Sequence, residues 1–551
     1  MLKRLMNLVL GLVFLVVALG AHGLATEEWS QDETEAALHE VAAAIFGAVG
    51  AIGVLSALTQ KNLAWGRKAK AKLAGALLDQ WLLMWSPRDG YRLRDLLNGG
   101  VCILGRAGSG KTSSSGLALA RGIAHVRDGQ GRPASGGLIL GAKPEDLAMW
   151  RGIFAHAGRR DDLLVFSPAS RLRFNFVDYL TRLSGGHTRN IVSGMMIMAE
   201  TLERGENRNE SGDAQWFRQQ TEMQLHYGID VVKMATGRLD IGDLNDFISD
   251  AAQDAAQLKD EKWRKGIHCQ MLAEATQRAR TPNESYDIKQ AVEFHLGKWP
   301  NYADRTKSAI AAGTNRILFV FNSGLIRQVF GGATNTTPED QFRGRFWFSD
   351  FSPSEHGAIG GFASAGLKYL TQRAVLRREA GEGDCVNVTW IDEYPLFVNS
   401  FDQQYIQQSR SHLGCMVTLA QSVPSFYAAL PGEKGEHQAQ ALLANFTHAV
   451  VHTCDPVTAQ WASSRLGQEL QVDISGSEDN RTGLYDQMMG NGGFRASFSE
   501  HMRNILEPAV FMNNLRSGGP ENGFIADAIV LKSGMPFSNG QNWLPVSFSQ
   551  R

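Results

Sequence analysis

Two apolar runs open the chain, Leu5 to Leu24 and Val41 to Thr59, each close to the length at which a helix crosses a bilayer. Beyond Leu73 the pattern changes. Short apolar runs such as Val101-Cys102-Ile103-Leu104, Gly137-Leu138-Ile139-Leu140 and Asp162-Leu163-Leu164-Val165-Phe166 alternate with amphipathic stretches and polar or Pro-marked loops, which predicts the strands and helices of parallel α/β units. From about Asn190 to Asn315 strand-type runs nearly vanish, while Trp216, Leu225, Ile229 and Val232, then Leu258, Trp263, Ile267 and Met271, recur near helical spacing. Strand-type runs return at Ile317 to Phe321, Arg345 to Phe348, Val386 to Ile391, Cys415 to Leu419 and Ala449 to Val451. The predicted organisation is a two-helix anchor over 1–60, a layered α/β domain built from 61–189 and 316–551, and an inserted all-α domain over 190–315. No internal repeat is visible, and the Gly/Asn/Ser-rich segment Gly490 to Ser499 predicts a mobile loop.

Charge orients the anchor. Glu27, Glu28, Asp32, Glu33, Glu35 and Glu40 lie between the apolar runs without a Lys or Arg; Lys3 and Arg4 precede the first run, and Lys61, Arg67, Lys68, Lys70 and Lys72 follow the second. The positive-inside rule then places both termini in the cytoplasm of a multi-pass membrane protein. A cleaved signal peptide, given the small residues from Ala21 to Ala25, is the alternative for the first run, and a buried soluble helix is the alternative for the second. Gly47, Gly50 and Gly53 fit helices that approach closely in lipid.

With 551 residues, 43% of them hydrophobic, the chain can build more than one domain, and its net charge of −1 argues against a surface coated in nucleic-acid-binding charge. Basic residues confined to a pore would leave that average unchanged, so neither partner class is excluded. Five scattered cysteines, Cys102, Cys269, Cys385, Cys415 and Cys454, without C-x-x-C spacing, predict reduced thiols and no structural zinc.

The sharpest chemical signal is Gly105-Arg106-Ala107-Gly108-Ser109-Gly110-Lys111-Thr112, which fits G-x-x-x-x-G-K-[ST] at every fixed position and sits between a strand-type run and a helical run beginning near Ser113. Such glycines let successive backbone N–H groups wrap a phosphate, Lys111 brings charge to the β/γ oxygens of ATP, and Thr112 offers its hydroxyl to Mg²⁺. A chance glycine-rich turn is the bland alternative. A second signal is Val386 to Glu393, a strand ending in two acids: Asp392 would hold Mg²⁺ and Glu393 would orient the attacking water. The run Arg345 to Asp350 is a rival, but no second acid follows Asp350, so the later pair is preferred. Next, Ser409 to Ser422 reads as a helix end, a glycine and a strand finishing on an amide. Gln421 at the carboxyl end of a parallel strand would face the ligand crevice, and Arg410 could enter a neighbouring subunit's site as an arginine finger. A satisfied strand-end amide and a solvated surface charge are the plain alternatives.

These motifs, in order with the twin apolar segments, Gly141-Ala142-Lys143-Pro144-Glu145, the helical insert, the Asp392-Glu393 strand, Val165-Phe166-Ser167-Pro168 with Asn175, Asn445-Phe446, Leu466-Gly467 and Arg503 to Pro508, resemble the type IV coupling proteins of the HerA/FtsK superclass of P-loop translocases. The resemblance spans most of the chain. It implies a RecA-like P-loop domain with an inserted all-α domain and a transmembrane anchor, assembled as a homo-hexamer at the bacterial inner membrane. It also implies ATP hydrolysis coupled to delivery of DNA, in single-stranded form and with its relaxase, or of effector proteins into a type IV secretion channel. Lys111, Asp392, Glu393, Arg410 and Gln421 occupy the matching positions. One departure is Gly141, where relatives usually carry an acid. The short stretch after Trp543 lacks the acidic tail with which some relatives recruit cargo, so recruitment is expected to use the helical domain or an adaptor. Three readings remain at this stage: a DNA motor, an ATPase for effector export or channel assembly, and a nucleotide-stabilised receptor scaffold. Glu393 argues against the last, because a scaffold needs no hydrolytic base.

Overall fold

The computed structural model describes residues 77–203, 212–381, 383–430, 435–478 and 494–550. The predicted anchor over 1–60 lies outside them. A short antiparallel pair, β1 (Trp81–Met84) and β2 (Gly90–Arg92), precedes β3 (Val101–Leu104), the helix α1 (Leu117–His125), β4 (Ser135–Leu140), α2 (Pro144–His156) and β5 (Leu163–Phe166). A helical stretch follows: α3 (Phe176–Leu183), α4 (Thr188–Ala199), α5 (Gly212–Thr236), α6 (Ile241–Ser249), the single turn Glu261–Arg264, α7 (Ile267–Arg278), α8 (Pro282–Val292), α9 (Asp304–Phe321) and α10 (Gly324–Phe330). The sheet resumes with β6 (Phe346–Ser349), the long helix α11 (Pro353–Arg377), β7 (Val386–Ile391), α12 (Phe401–Gln408), β8 (Gly414–Ala420) and β9 (His448–Val451). A hairpin of β10 (Gln468–Glu478) and β11 (Phe494–Asn504) stands apart, and β12 (Ile525–Lys532) and β13 (Trp543–Ser549) complete the main sheet.

That sheet has nine strands in the order β13-β12-β9-β3-β8-β7-β4-β6-β5. From β9 to β5 all neighbours are parallel, whereas β12 and β13 add an antiparallel edge. The apolar runs β3, β7 and β8 are buried along their whole length, as strands covered on both faces must be. In this order β8 alone separates β3 from β7, so the carboxyl ends of the strands carrying Lys111, Gln421 and Asp392 are consecutive.

The helical stretch between β5 and β6 is wider than the sequence pattern shows, running from Phe176 to Phe330. Leu225, Ile229 and Val232 on α5 are buried, and α5 packs against α4, α7, α8 and α9, while Trp216 is exposed. One hydrophobic cluster runs from these helices into the sheet side through Phe176, Phe330, Trp347 and Phe362. The run Ile317 to Phe321, read above as a strand, is the last turn of α9. A short run of β-branched and aromatic residues suits either state, and the longer spacing decides: Ile310, Thr314, Ile317, Leu318 and Phe321 are buried along one helical face while Phe319 is 70% exposed. Of the predicted loop at Gly490 to Ser499, the part before Phe494 lies outside the described residues, and the part from Phe494 is strand, pairing with β10 from Phe494 against Glu478 to Asn504 against Gln468. Among the described residues no single helix is long and apolar enough to cross a membrane; the bent pair α9–α10 is apolar because Leu318, Ile326 and Val329 belong to the core.

Below the sheet α11 carries Lys368, which is fully buried. Its ammonium pairs with Asp402 on α12 and donates to the Phe397 carbonyl at 2.6 Å, while Gln372 and the Asn399 N–H also donate to Asp402, at 2.8 and 3.0 Å. This knot pins the loop that follows the Asp392-Glu393 pair. Lys368→Met would strand a buried carboxylate, and a loss of ~3–5 kcal/mol of stability is expected. Urea unfolding should show it as a lower midpoint at unchanged slope; an unshifted midpoint would remove the pair from the account of the fold.

Candidate nucleotide-binding site

The loop leaving β3 is shaped by steric exclusion. At Gly105 a Cβ would lie 2.4 Å from Ser109 Oγ and 2.8 Å from His452 Cβ, so only glycine fits. Gly108 and Gly110 hold φ of +76° and +85°, conformations that turn the backbone around a concavity and that L side chains rarely adopt. Arg106, Ala107 and Gly108 are exposed at the rim; Ser109 points inward and is buried, its hydroxyl without a hydrogen-bond partner among the described residues. Lys111 is 7% exposed, and Thr112–Gly116 form a π-helical turn leading into α1, with Ser114 Oγ donating to the Gly110 carbonyl at 2.6 Å.

The segment after β9 braces this loop from beneath. The Arg106 N–H donates to the Thr453 carbonyl at 2.9 Å and the His452 N–H to the Leu104 carbonyl at 2.8 Å. The buried His452 ring lies between Ser115 Oγ (2.7 Å from Nε2) and the Asp527 carbonyl (2.9 Å from Nδ1). A carbonyl can only accept, so Nδ1 carries the proton and Nε2 accepts from the serine. Burial, reinforced by the charge of Lys111, lowers the pKa of His452 to about 4, so the neutral tautomer persists at physiological pH.

Across β8 stands the acidic pair. Asp392 follows β7, is 5% exposed, and accepts the Glu393 N–H at 2.9 Å. Glu393 adopts φ +47°, ψ +54°, a left-handed conformation that costs a non-glycine residue on the order of 1 kcal/mol. That turn sends its carboxylate to Lys111, with Oε1 3.8 Å from Nζ, and Gln421 Nε2 donates to the same oxygen at 3.3 Å. Lys111, Glu393 and Gln421 therefore converge at the carboxyl ends of three consecutive strands, where open parallel sheets bind ligands. The rival Asp350 ends β6, four strands from β3, or ~19 Å at normal strand spacing; Asp392 is two strands away, ~10 Å.

Burial drives the pKa of Asp392 up to about 6, with the charges of Asp146 and Glu393 adding to it. No cation pairs with Asp392 among the described residues, and no hydrogen bond of the Thr112 hydroxyl is formed among them. A carboxylate so placed suits a divalent cation, and Mg²⁺ characteristically takes only one or two protein ligands beside water and phosphate oxygens. Asp392 and Thr112 would hold it, and its chemistry would be to neutralise charge on the phosphates.

Position 141 is informative. A Cβ on Gly141 would lie 2.9 Å from the Phe348 ring and 3.2 Å from Asp146 Cβ, so the carboxylate of Asp146, held by the Ala142 and Lys143 N–H groups at 2.9 and 3.0 Å, fills the space beside it. Sequence reading missed Asp146, although an acid three residues after Lys143 at a Pro-marked helix start was legible. It also missed His452 and Gln550, which reach the loop only through the sheet and leave no local signal. Arg410 is not brought to this site within one chain. It lies exposed in the turn Ser409–His412 before β8, at the end of that strand opposite Gln421, and forms no ion pair among the described residues.

No protein-family model and no curated protein matches the chain. Solved structures do. The bacterial conjugative coupling protein TrwBdeltaN70, in an unbound form, aligns at a TM-score of 0.52 with 14% identity over 87% of this chain and 92% of that one. The plasmid coupling protein TrwB in complex with ADP and Mg²⁺ gives 0.51 at 14% identity over 87% and 92%, and its complex with the GTP analogue GDPNP gives 0.51 at 15% over 87% and 94%. At these identities the likeness is one of fold: this mixed α/β chain, with its large, mainly parallel central sheet, has the fold of a conjugative coupling protein.

Proposed function

We propose that this chain is a type IV coupling ATPase: it binds Mg²⁺·ATP on the Gly105 to Ser113 loop and couples hydrolysis to movement of DNA into a secretion channel. The observation that carries the reading is the convergence of Lys111, Glu393 and Gln421 at one crevice. Lys111 lies against Glu393 across 3.8 Å. A nucleotide's terminal phosphate would draw the ammonium to itself and release the carboxylate to orient water, while Gln421 holds one carboxylate oxygen in place. Positioning and charge are what phosphoryl transfer asks of a protein. Within this reading Arg410 serves the neighbouring subunit of a homo-hexamer, 1–60 anchors the ring in the inner membrane, and the α/β domain (61–189 and 316–551) carries the inserted helical domain (190–315). The likeness to conjugative and plasmid coupling proteins is the support for taking DNA with its relaxase as cargo, while the fold itself serves effector export equally well.

The test is ATPase activity of the detergent-solubilised full chain with single-stranded and duplex DNA across a salt series. Stimulation by single-stranded DNA is expected, with an affinity for that DNA that falls steeply between 50 and 200 mM salt, roughly 300-fold if about six phosphates are contacted. An active hexamer indifferent to both DNAs would point to protein cargo. A folded chain that binds nucleotide without turning it over would point to the scaffold.

A further inference from the structure

We propose that Gln550 is a positioning residue of the nucleotide site, acting through Ser113; the inference rests on the nucleotide reading above. Gln550 follows β13, far from the loop in sequence, yet its Nε2 donates to Ser113 Oγ at 2.7 Å. The orientation of the amide is fixed from its other side, because the Gly519 N–H donates to Oε1 at 2.8 Å and only the oxygen can accept. The NH₂ group must therefore face Ser113.

The seat for this amide is built from three segments. A Cβ on Gly518 would lie 2.5 Å from Oε1 and one on Gly110 would lie 3.1 Å from Nε2, and both glycines hold positive φ, +82° and +85°. Gln550 is tied by its own N–H to the Phe524 carbonyl at 2.9 Å. The loop carrying Gly518 and Gly519 is fastened at its base by Arg516, which donates to both oxygens of Asp527 at 2.7 and 2.9 Å, with Ser547 Oγ donating to the same carboxylate at 2.7 Å.

The consequence falls on the Ser113 proton. A hydroxyl that accepts from an amide N–H cannot direct its own hydrogen there, and its one acceptor among the described residues, the Gly110 carbonyl, is a distant 3.4 Å. The proton is left for an oxygen entering the loop, which for a nucleotide is a phosphate oxygen. Gln550 thereby keeps Ser113 in its donating state. Reversing the amide's polarity with a carboxylate would draw the proton the wrong way and place negative charge beside the phosphates.

The experiment measures Mg²⁺·ADP binding to the full chain by calorimetry, with steady-state ATPase alongside. Gln550→Glu is expected to weaken binding ~10-fold or more, the scale of a lost hydrogen bond to a charged group, and Gln550→Met by a few-fold, the scale of a neutral hydrogen bond. In both, kcat at saturating ATP should stay within about twofold while KM rises. In a Ser113→Ala background Gln550→Met should add nothing, because the group it acts through is gone. Unchanged affinity in both Gln550 variants, an undiminished effect of Gln550→Met without the Ser113 hydroxyl, or variants that no longer assemble would each overturn the positioning role. A wild-type chain that binds no Mg²⁺·ADP would instead overturn the nucleotide reading itself.

Discussion

Glu393→Gln is expected to bind Mg²⁺·ATP about as tightly as the wild type and to hydrolyse it ~10²–10⁴-fold more slowly, the range over which a positioned acid–base group contributes. Lys111→Ala should lose turnover and much of its affinity as well. The difference follows from what each side chain touches. Lys111 is buried at the head of the π-helical turn and supplies the positive charge at the loop, so its loss weakens ground-state and transition-state binding together. Glu393 carries no such burden; in the amide variant the hydrogen bond from Gln421 would meet a carbonyl oxygen, and the strained left-handed turn would persist. Binding and single-turnover rates measured on both variants separate the two roles. Hydrolysis by Glu393→Gln within tenfold of wild type would move the water-orienting group to another residue.

Much of this was legible before the structure because its signals are local. The loop from Gly105 to Thr112 declares itself through fixed spacing, and β7 through an apolar run ended by two acids. The α/β alternation and the helical stretch likewise follow from periodicities that a window of residues can hold. What was misread at Ile317 to Phe321 was a run whose residue types suit strand and helix equally, so only its burial against Phe362 and the rest of α9 decides the state. What was not read at all depends on the order of strands. β9 and β12 bring His452 and Asp527 under the loop, and β13 brings Gln550 over it, although more than 300 residues separate each from Ser113. The Lys368–Asp402 knot is of the same kind: a lysine on a helix reads as surface, and only the placement of α11 beneath the sheet makes it buried. The vacancy that the resemblance left at Gly141 is filled by Asp146 through packing, which no comparison of aligned positions would suggest.

Arg410→Ala is expected to lower turnover by ~10³-fold or more, the scale at which an arginine contributes to phosphoryl transfer, and to leave nucleotide affinity nearly intact. If it serves a nucleotide site at all, its position requires that it act across a boundary. It precedes β8 whereas Gln421 follows it, and a strand of seven residues places the two ends ~23 Å apart, beyond the reach of a side chain. In a closed ring every interface is heterologous, one subunit's crevice facing another's opposite end. Mixing then gives a decisive result. Arg410→Ala subunits keep Glu393 and Glu393→Gln subunits keep Arg410, so about a quarter of interfaces in randomly mixed rings would pair an intact crevice with an intact arginine. Activity should rise from near zero in either pure ring towards roughly that fraction of wild type. Rings verified as mixed that stay as inactive as their parents would show that Arg410 does not complete a neighbour's site, and the in-trans role would fall.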